Sequence, residues 1–173
     1  MTHTLMYHKP RKAIKRVSTK KLLVLGSGHS VTKIPTKKLP GPRNKHESRS
    51  QLVKRLDSVF SQYIRQKYAT DGLTACVTCG VVKRWQEQQN GHYMSRGYLP
   101  TRWSEDNCAP QCYACNVLRK GHYVEYSLWM INTYGVEKLE ELKQRANSGI
   151  NVTTVEIREM IEKYTNLVKL YLT

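Results

Sequence analysis

Acidic residues are scarce in this chain, and its first fifty positions hold almost none. The 173 residues include 29 Lys and Arg but only 13 Asp and Glu, which gives a formal net charge of +16 at pH 7. Residues 1–50 contain thirteen Lys and Arg and a single acid, Glu47, and therefore carry +12 of that charge. This asymmetry favours a polyanion as the partner, most often nucleic acid. The alternative is a basic tail that only aids solubility.

Long apolar runs are missing as well. No stretch approaches the ~20 apolar residues of a membrane-spanning helix, and the run KLLVLG at residues 21–26 is too short for a signal-peptide core. We therefore expect no membrane partner and an intracellular protein, located in the host-cell cytoplasm if a phage encodes it. The five cysteines would lie in a reducing compartment, which does not favour a disulfide framework.

Composition divides the chain into four predicted segments. The first combines many basic and turn-forming residues with few apolar ones, and we predict that it is a mostly disordered tail. The second predicts an amphipathic helix that packs on the core, the third carries the motifs described next, and the fourth predicts C-terminal helices. In order, the segments are residues 1–47, 48–70, 71–124 and 125–173.

Two local patterns predict how helices begin and which side they bury. Ser48 and Gln51 have the spacing of a capping box, in which each side chain bonds the other residue's backbone amide, so a helix should begin there. Farther along, Val124, Leu128 and Ile131 recur at helical spacing. They predict the apolar face of another helix.

Two Cys-x-x-Cys pairs predict a metal site. Cys76 with Cys79, and Cys112 with Cys115, are separated by 32 positions, and four thiolates make a good tetrahedral zinc site. Four protein ligands leave no open position for water, so this zinc would be structural and would supply stability that a small core lacks. The alternatives are four buried reduced cysteines or a redox dithiol. Cys108 is left over and is assigned to the core.

The segment between the two cysteine pairs is predicted to form a closed excursion. The runs VVKRW at 81–85 and NGHYMS at 90–95 could pair as a hairpin. The second cysteine pair would then open a helix, which brings Asn116 beside the hairpin that carries His92. His122 has no place in this arrangement and is assigned to the surface, or at most to a phosphate contact.

At this point the sequence resembles a known family. The marks are a Cys-x-x-Cys, a hairpin ending in Gly-His, a central Asn, and CxxCN with Lys and Gly close behind. Here they stand as CVTCG, NGHYMSRG and RWSEDNCAPQCYACN. They are similar to the HNH nucleases of the ββα-metal type and, together with YGVEKLEELK, to the phage NinG/Rap group of recombination endonucleases. The resemblance runs from about residue 50 to the C-terminus and leaves the basic tail outside.

The resemblance implies both a fold and an activity. The fold would be α+β, with a small treble-clef zinc core of the ββα-metal, HNH-like type flanked by α-helices. The activity would be that of a metal-dependent, structure-selective DNA endonuclease acting on branched recombination or replication intermediates. Its partners would be branched DNA, other recombination or replication proteins, and a second copy of the chain in a homodimer.

The resemblance also implies roles for three residues. His92 would be the general base, since a histidine pKa near neutrality suits the activation of water. Asn116 would offer a carbonyl oxygen to Mg²⁺ or Mn²⁺, and Asn107 would brace the loop that orients the histidine strand. Many HNH enzymes have Asp where Gly91 stands, and an acid is frequent where Gln89 stands. The catalytic cation would therefore have only neutral protein ligands.

Six basic residues of the same region are candidates for phosphate contacts beside the scissile bond. They are Lys83, Arg84, Arg96, Arg102, Arg119 and Lys120. Each one alone is more often a solvated surface charge, but as a set they predict a basic face.

Two rival functions stay open at this point. Gln89 and Gly91 favour a noncatalytic treble-clef zinc protein that binds DNA or RNA, and the basic tail favours a structural component of a nucleoprotein complex. Taken singly, His92 could be a solvated or capped histidine and Asn116 a helix N-cap. A nuclease needs the His92 imidazole and the Asn116 side chain to face one open, basic groove, so their placement discriminates between the readings.

Overall fold

The computed structural model describes residues 47–171, and the predicted disordered tail, apart from Glu47, lies outside them. Helices and short strands alternate within the described residues, so the fold is a mixed α+β one. In chain order the elements are α1 (Arg49–Lys67), β1 (Leu73–Ala75), β2 (Val82–Arg84), β3 (Gln89–His92), α2 (Leu99–Arg102), β4 (Cys108–Gln111), α3 (Tyr123–Tyr134), α4 (Val136–Ala146) and α5 (Thr154–Leu170). None of the described helices combines the length and apolar character needed to span a bilayer.

Helices α1 and α5 pack against each other and form the larger hydrophobic core. Both begin with capping boxes, at Ser48 and at Thr153, so the predicted start of α1 is confirmed. The rings of Phe60 and Tyr164 meet edge to face with centroids 4.8 Å apart. Each apolar side chain buried here contributes about 1.5–3 kcal/mol to the stability of the fold. Helix α1 also packs against β3 and β4. The buried set is Leu52, Leu56, Phe60, Tyr63, Ile64, Trp103, Cys108, Ile157, Ile161, Tyr164 and Val168.

The strands form two antiparallel pairs. Strand β1 pairs with β2, and β3 pairs with β4 so that Gln89 faces Gln111 and His92 faces Cys108. The second pair lies against α1, which places the end of β3 between that helix and the cysteine-bearing segments.

The predicted hairpin between residues 81–85 and 90–95 is wrong. A 3₁₀ turn, Trp85–Glu87, separates β2 from β3, and each strand finds a different partner. Gln88 fixes this connection, because its buried side-chain amide donates to backbone carbonyls on both sides of the β1–β2 hairpin, at 3.0 and 3.1 Å. After β2 the chain therefore continues away from the β1–β2 hairpin, and β3 does not pair with β2.

The predicted apolar face of α3 is also wrong. Val124, Leu128 and Ile131 are 67%, 57% and 38% exposed, while Tyr126 and Met130 are the buried residues of the helix. Helix α3 is apolar around much of its circumference, so spacing alone does not decide which stripe meets the core. The large Tyr126 ring is buried instead, and its hydroxyl donates to the backbone carbonyl of Gly91 in β3 at 3.1 Å. That contact satisfies the one polar atom of the buried ring.

Candidate metal centre and the cleft beside it

The first cysteine pair lies in the turn between β1 and β2. The Cys76 amide donates to the Val81 carbonyl at 2.9 Å, and the Gly80 amide donates to the Cys76 carbonyl at 2.8 Å. Gly80 has a φ of +73°, a left-handed conformation that costs other residues roughly 1–2 kcal/mol. The glycine therefore allows a tight turn that brings Cys76 and Cys79 together.

The second pair lies where β4 leads into a π-helical turn, Ala114–Leu118. Cys112 directly follows β4, and Cys115 is in the turn. The four sulfur atoms all lie within 4.8 Å of one another, and those of Cys79 and Cys112 are 3.7 Å apart. Sulfurs at about 2.3 Å from one zinc ion would be about 3.8 Å apart in a tetrahedron. The four cysteines could therefore bind a metal ion such as zinc.

The crowding of these thiols affects their acidity. Burial opposes the ionisation of Cys76, but hydrogen bonds from Thr78 and from backbone amides outweigh it and lower the pKa of this thiol to about 6. The Val81 amide favours the thiolate of Cys79, but burial and the neighbouring thiols outweigh it and raise that pKa to about 12. A second thiolate is costly beside the first, and a bound cation would remove that cost.

His122 belongs to this centre, contrary to its predicted surface position. Its Nδ1 lies 3.6 Å from the sulfur of Cys115, and its Nε2 lies 3.0 Å from a carboxylate oxygen of Glu125. A group that contacts a ligand atom in this way holds the ligand in place. The sequence signal was weak, because a histidine seven residues after a cysteine fits no common zinc spacing.

His92 ends β3 and is largely buried. Its Nε2 lies 3.0 Å from the backbone carbonyl of Arg102. A carbonyl only accepts hydrogen bonds, so the proton of the neutral ring is on Nε2 and the lone pair is on Nδ1. Burial lowers the pKa of His92 below its ordinary value of 6.5, while backbone carbonyls of Arg102 and Asn90 oppose the shift. The ring is thus held neutral at physiological pH with one nitrogen able to take a proton.

Asn116 follows Cys115 directly, so the cysteine cluster fixes its position. Its Nδ2 donates to the Oε1 of Gln89 at 2.7 Å, and its backbone amide donates to the Cys112 carbonyl at 2.9 Å. The side-chain bond uses the amide nitrogen, which leaves the carbonyl oxygen Oδ1 as the atom that can take a ligand. Gln89, which stands where an acid is frequent in the similar family, is thus in contact with the side chain of Asn116.

His92 and Asn116 line one cleft. This cleft, here called the Asn116 cleft, has a volume of about 530 Å³. Two of the predicted phosphate contacts, Arg96 and Lys120, lie in its wall, and both are exposed. The structure thus brings together the two residues that a nuclease must place in one basic groove. The remaining lining residues are Asn90, Tyr93, Met94, Ser95, Gly121 and Tyr123.

Asn107 is fully buried and clamps the loop between β3 and β4. Its Oδ1 accepts from the Met94 amide at 2.7 Å, and its Nδ2 donates to the carbonyls of Met94 and Thr101 at 3.0 and 2.9 Å. The Asn107 carbonyl accepts from the Tyr93 amide at 2.9 Å. These are the contacts that a residue bracing the histidine strand needs, and they place Asn107 away from the cleft surface.

Gln111 occupies the space beside Gly91. A Cβ atom at position 91 would overlap the side-chain amide of Gln111, which is fully buried. The Nε2 of Gln111 donates to the Gly121 carbonyl at 2.8 Å and lies 3.3 Å from the hydroxyl of Thr78. Since that carbonyl can only accept, the amide orientation is fixed. An aspartate therefore does not fit at position 91 while Gln111 keeps this place.

Arg102 is used inside the protein. Its Nε and Nη2 donate to the two carboxylate oxygens of Asp57 at 2.9 and 2.6 Å, and its guanidinium lies over the ring of Trp103. A bidentate pair of this kind neutralises the guanidinium and is stronger than a neutral hydrogen bond. In the structure Arg102 ties α2 to α1, and its contact with phosphate stays a prediction.

The other three predicted contacts, Lys83, Arg84 and Arg119, do not line the Asn116 cleft. Lys83 and Arg119 line a cavity of about 410 Å³ together with three of the clustered cysteines. Arg84 is exposed on β2. Lys83 and Arg119 thus lie beside the cysteine cluster, and none of the three lines the Asn116 cleft.

The family model described as Bacteriophage Lambda NinG protein matches residues 9–172. Protein ninG of Escherichia phage 933W is 30% identical over 122 residues, which cover 70% of this chain and 58% of that protein. Protein ninG of Escherichia phage lambda is 29% identical over 100 residues, covering 57% and 47%. That of Salmonella phage P22 is 28% identical over 96 residues, covering 55% and 45%.

The chain spans about half the length of the curated relatives it matches. No solved structure matches it. The comparison therefore rests on sequence, and it takes in the cysteine pairs, His92 and Asn116 within the matched range.

Proposed function

The chain belongs to the NinG family of bacteriophage proteins, and on that premise we propose that it is a metal-dependent endonuclease. Its substrate would be DNA at branched recombination or replication intermediates. The observation that carries the proposal is the placement of His92 and Asn116 in one cleft with Arg96 and Lys120. A neutral imidazole can activate water, an amide carbonyl can bind a hard cation, and the side chains of Arg96 and Lys120 can hold a phosphate, which together suit phosphodiester hydrolysis.

In this proposal His92 activates the attacking water. The Arg102 carbonyl holds Nε2–H, so Nδ1 receives the proton as the water oxygen bonds to phosphorus and the bond to the leaving oxygen breaks. Burial keeps the ring neutral before the reaction, and the nearby carbonyls stabilise the imidazolium that forms. Arg96 and Lys120 hold the phosphate and balance its charge.

The divalent cation of this proposal, Mg²⁺ or Mn²⁺, would supply charge neutralisation at the phosphate. Hard cations prefer oxygen ligands, and the side-chain amides of Asn116 and Gln89 each have a carbonyl oxygen to offer. The two amides are adjacent, since the Nδ2 of Asn116 lies 2.7 Å from the Oε1 of Gln89. Both groups are neutral, so the protein alone would hold the cation weakly and the substrate phosphate would complete the site. The residues fit a cation that arrives with its substrate.

The proposal assigns zinc to the four cysteines as a structural ion. Zinc there would join the β1–β2 turn to the segment that carries Asn116. Cys76 and Cys112, one from each pair, would bind it together with Cys79 and Cys115. Branched DNA is the proposed partner, and other recombination or replication proteins and a second copy of the chain stay predictions.

A second candidate function is a noncatalytic zinc protein that binds DNA or RNA on the same scaffold. The observation in its favour is that Gln111 fills the place of a carboxylate at Gly91, so neutral amides line the cation side of the cleft. Such a protein would keep the basic cleft and the metal centre and would lack cleavage with any divalent cation.

One assay separates the two candidates. Purified protein is incubated with branched and linear duplexes across a titration of Mg²⁺ or Mn²⁺, and binding to the same duplexes is measured in EDTA. Nicking of the branched duplex that depends on the cation supports the endonuclease. Binding without nicking at any cation concentration supports the noncatalytic candidate.

The lowered pKa of His92 predicts the acid limb of the pH profile. Because burial favours the neutral ring, the base stays competent as the pH falls through 6.5 and is lost only below it. The measurement is kcat/KM for nicking against pH, which reports groups of the free enzyme. An acid limb at or above pH 6.5 would contradict this assignment of the base.

A carboxylate at position 89 should strengthen cation binding. In Gln89→Glu the Asn116 amide keeps an acceptor, and a charged oxygen ligand stands beside the Asn116 side chain. We expect Mn²⁺ affinity in the absence of DNA to rise on the order of tenfold, since ligand charge tunes the affinity of such sites. Mn²⁺ binding followed by electron paramagnetic resonance measures this without any cleavage.

The matched control is Gln86→Glu, which makes the same change at an exposed position of the 3₁₀ turn. Equal Mn²⁺ affinities for the two variants would show that position 89 does not border a cation site.

A further inference from the structure

Helix α1 presents a polar stripe to a second cleft. Lys54, Ser58, Ser61 and Arg65 are spaced by four, three and four residues, so they lie on one face of the helix. These four residues, here called the α1 stripe, line a cleft of about 490 Å³ on the α1 side of β3. The notable property of the stripe is that two small hydroxyl side chains are flanked by two cations.

The second cleft, here called the α1 cleft, meets the Asn116 cleft at His92. The two clefts share three lining residues: Asn90, His92 and Arg96. A molecule that lies across His92 can therefore extend into both. One direction leads toward Asn116 and the other toward the α1 stripe.

Among residues 47–171, Asp57 is the one acid that lines the α1 cleft, and its charge is already paired. Its oxygens accept from Arg102 at 2.9 and 2.6 Å and from the indole nitrogen of Trp103 at 2.9 Å. Desolvation opposes ionisation, but these hydrogen bonds and the charge of Arg102 hold the pKa of Asp57 below its ordinary value. Asp57 therefore stays ionised and paired, and its repulsion of an anion is largely cancelled.

Arg65 keeps its positive charge in the wall of the same cleft. Its hydrogen bonds go to backbone carbonyls of Ser61, Trp85, Gln86 and Gln88, which are neutral acceptors. These bonds fix the guanidinium without cancelling its charge. Lys54 and Ser58 are exposed at the other end of the stripe, so the charge of the lysine is accessible as well.

We propose that the α1 stripe binds the sugar-phosphate backbone of a DNA strand, on the side of the scissile phosphate opposite Asn116. The proposal rests on the proposed function only in naming His92 as the point of cleavage. It adds a second binding arm, so that one strand is held on both flanks of the histidine. A site that is open at both ends suits cleavage within a strand and not at its terminus.

The chemistry of the stripe suits phosphate. Lys54 contributes a mobile point charge, the serine hydroxyls can donate to phosphate oxygens, and Arg65 supplies a fixed positive potential. Each phosphate contact on duplex DNA should contribute about 0.9 to the slope of log binding constant against log salt. Loss of one contact is therefore measurable by itself.

The test compares neighbouring residues of one helix. Lys54→Gln removes a charge from the α1 stripe, and Arg55→Gln removes one from another face, where Arg55 pairs with Glu47 at 2.8 Å. Binding to a branched duplex is measured in EDTA across a salt series. We expect Lys54→Gln to make the salt dependence shallower, reducing the magnitude of the slope by about 0.9, and Arg55→Gln to leave the slope unchanged. Ser58→Glu should weaken binding roughly tenfold at moderate salt by placing an anion in the stripe.

Equal slopes for Lys54→Gln, Arg55→Gln and native protein, with native affinity for Ser58→Glu, would overturn the proposal. Because the assay contains no divalent cation, its result is independent of cleavage. A lowered slope in a protein that never nicks DNA supports the α1 stripe and overturns the proposed nuclease. If the native protein nicks DNA but Lys54→Gln has the native salt slope, the result supports the nuclease and overturns the proposed role of the α1 stripe. Circular dichroism melting shows that each variant is folded.

Discussion

The variant His92→Ala should nick branched DNA roughly 10²–10⁴-fold more slowly than the native protein, because that is the typical contribution of general-base catalysis. Its zinc content and DNA affinity should stay close to native. The proposed zinc ligands are the four clustered cysteines and do not include His92. The neutral ring of His92 also contributes little to the attraction of phosphate. The substitution removes the Nδ1 lone pair, whose proposed role is only to accept a proton from the attacking water.

The control for this result lies in the same cleft. Ser95→Ala changes an exposed polar side chain of the Asn116 cleft and should cut at the native rate. Added imidazole should restore part of the activity of His92→Ala, since it supplies the missing base and fits the space that the side chain leaves. Native-like cutting by His92→Ala would place the general base elsewhere.

Replacement of Cys76 or Cys112 by Ser should abolish zinc binding and unfold the middle of the chain. Binding of a structural zinc ion is worth on the order of 10 kcal/mol of folding free energy in small zinc domains, which is comparable to the whole stability of a domain. Metal analysis should find no zinc in these variants. Hydrogen exchange should show loss of protection at the β1–β2 turn and at the turn that holds Asn116, while α1 and α5 keep theirs because they bury most of their core against each other.

The control is the fifth cysteine. Cys108 is buried in the core of α1 and α5 and not in the cysteine cluster, so Cys108→Ala should keep zinc and lose only packing. Native protein that contains no zinc, or a Cys112→Ser variant with native exchange protection, would show that the cluster is not a metal centre.

The cysteine cluster and the place of Asn116 beside it follow from short-range sequence rules. Two Cys-x-x-Cys pairs permit few arrangements, and a residue that directly follows Cys115 must lie beside whatever the cluster touches. That rule does not bring Asn116 to His92: the hairpin predicted to do so does not form, and the pairing of β3 with β4 places both residues at one cleft. Helix starts were also predictable, since the capping box at Ser48 depends only on residues three positions apart.

Features that depend on distant partners could not be predicted in this way. The pairing of β3 with β4 is decided by packing on α1 and by the anchoring of Gln88, and no local pattern reports either. The outward stripe at Leu128 has the spacing of a core face, but the Tyr126 ring takes the core. Arg102 resembles any surface arginine until Asp57, 45 residues away, is seen to neutralise it.

The contact between Gly91 and Gln111 has a consequence for how this protein can evolve. Aspartate at position 91 needs the volume that the Gln111 amide occupies, so that substitution alone leads through a clash. The two positions should therefore covary: relatives with an acid at the position of Gly91 should carry a small residue at the position of Gln111, and relatives with glycine should tolerate a long side chain there. An alignment of the family would test this coupling without any purified protein.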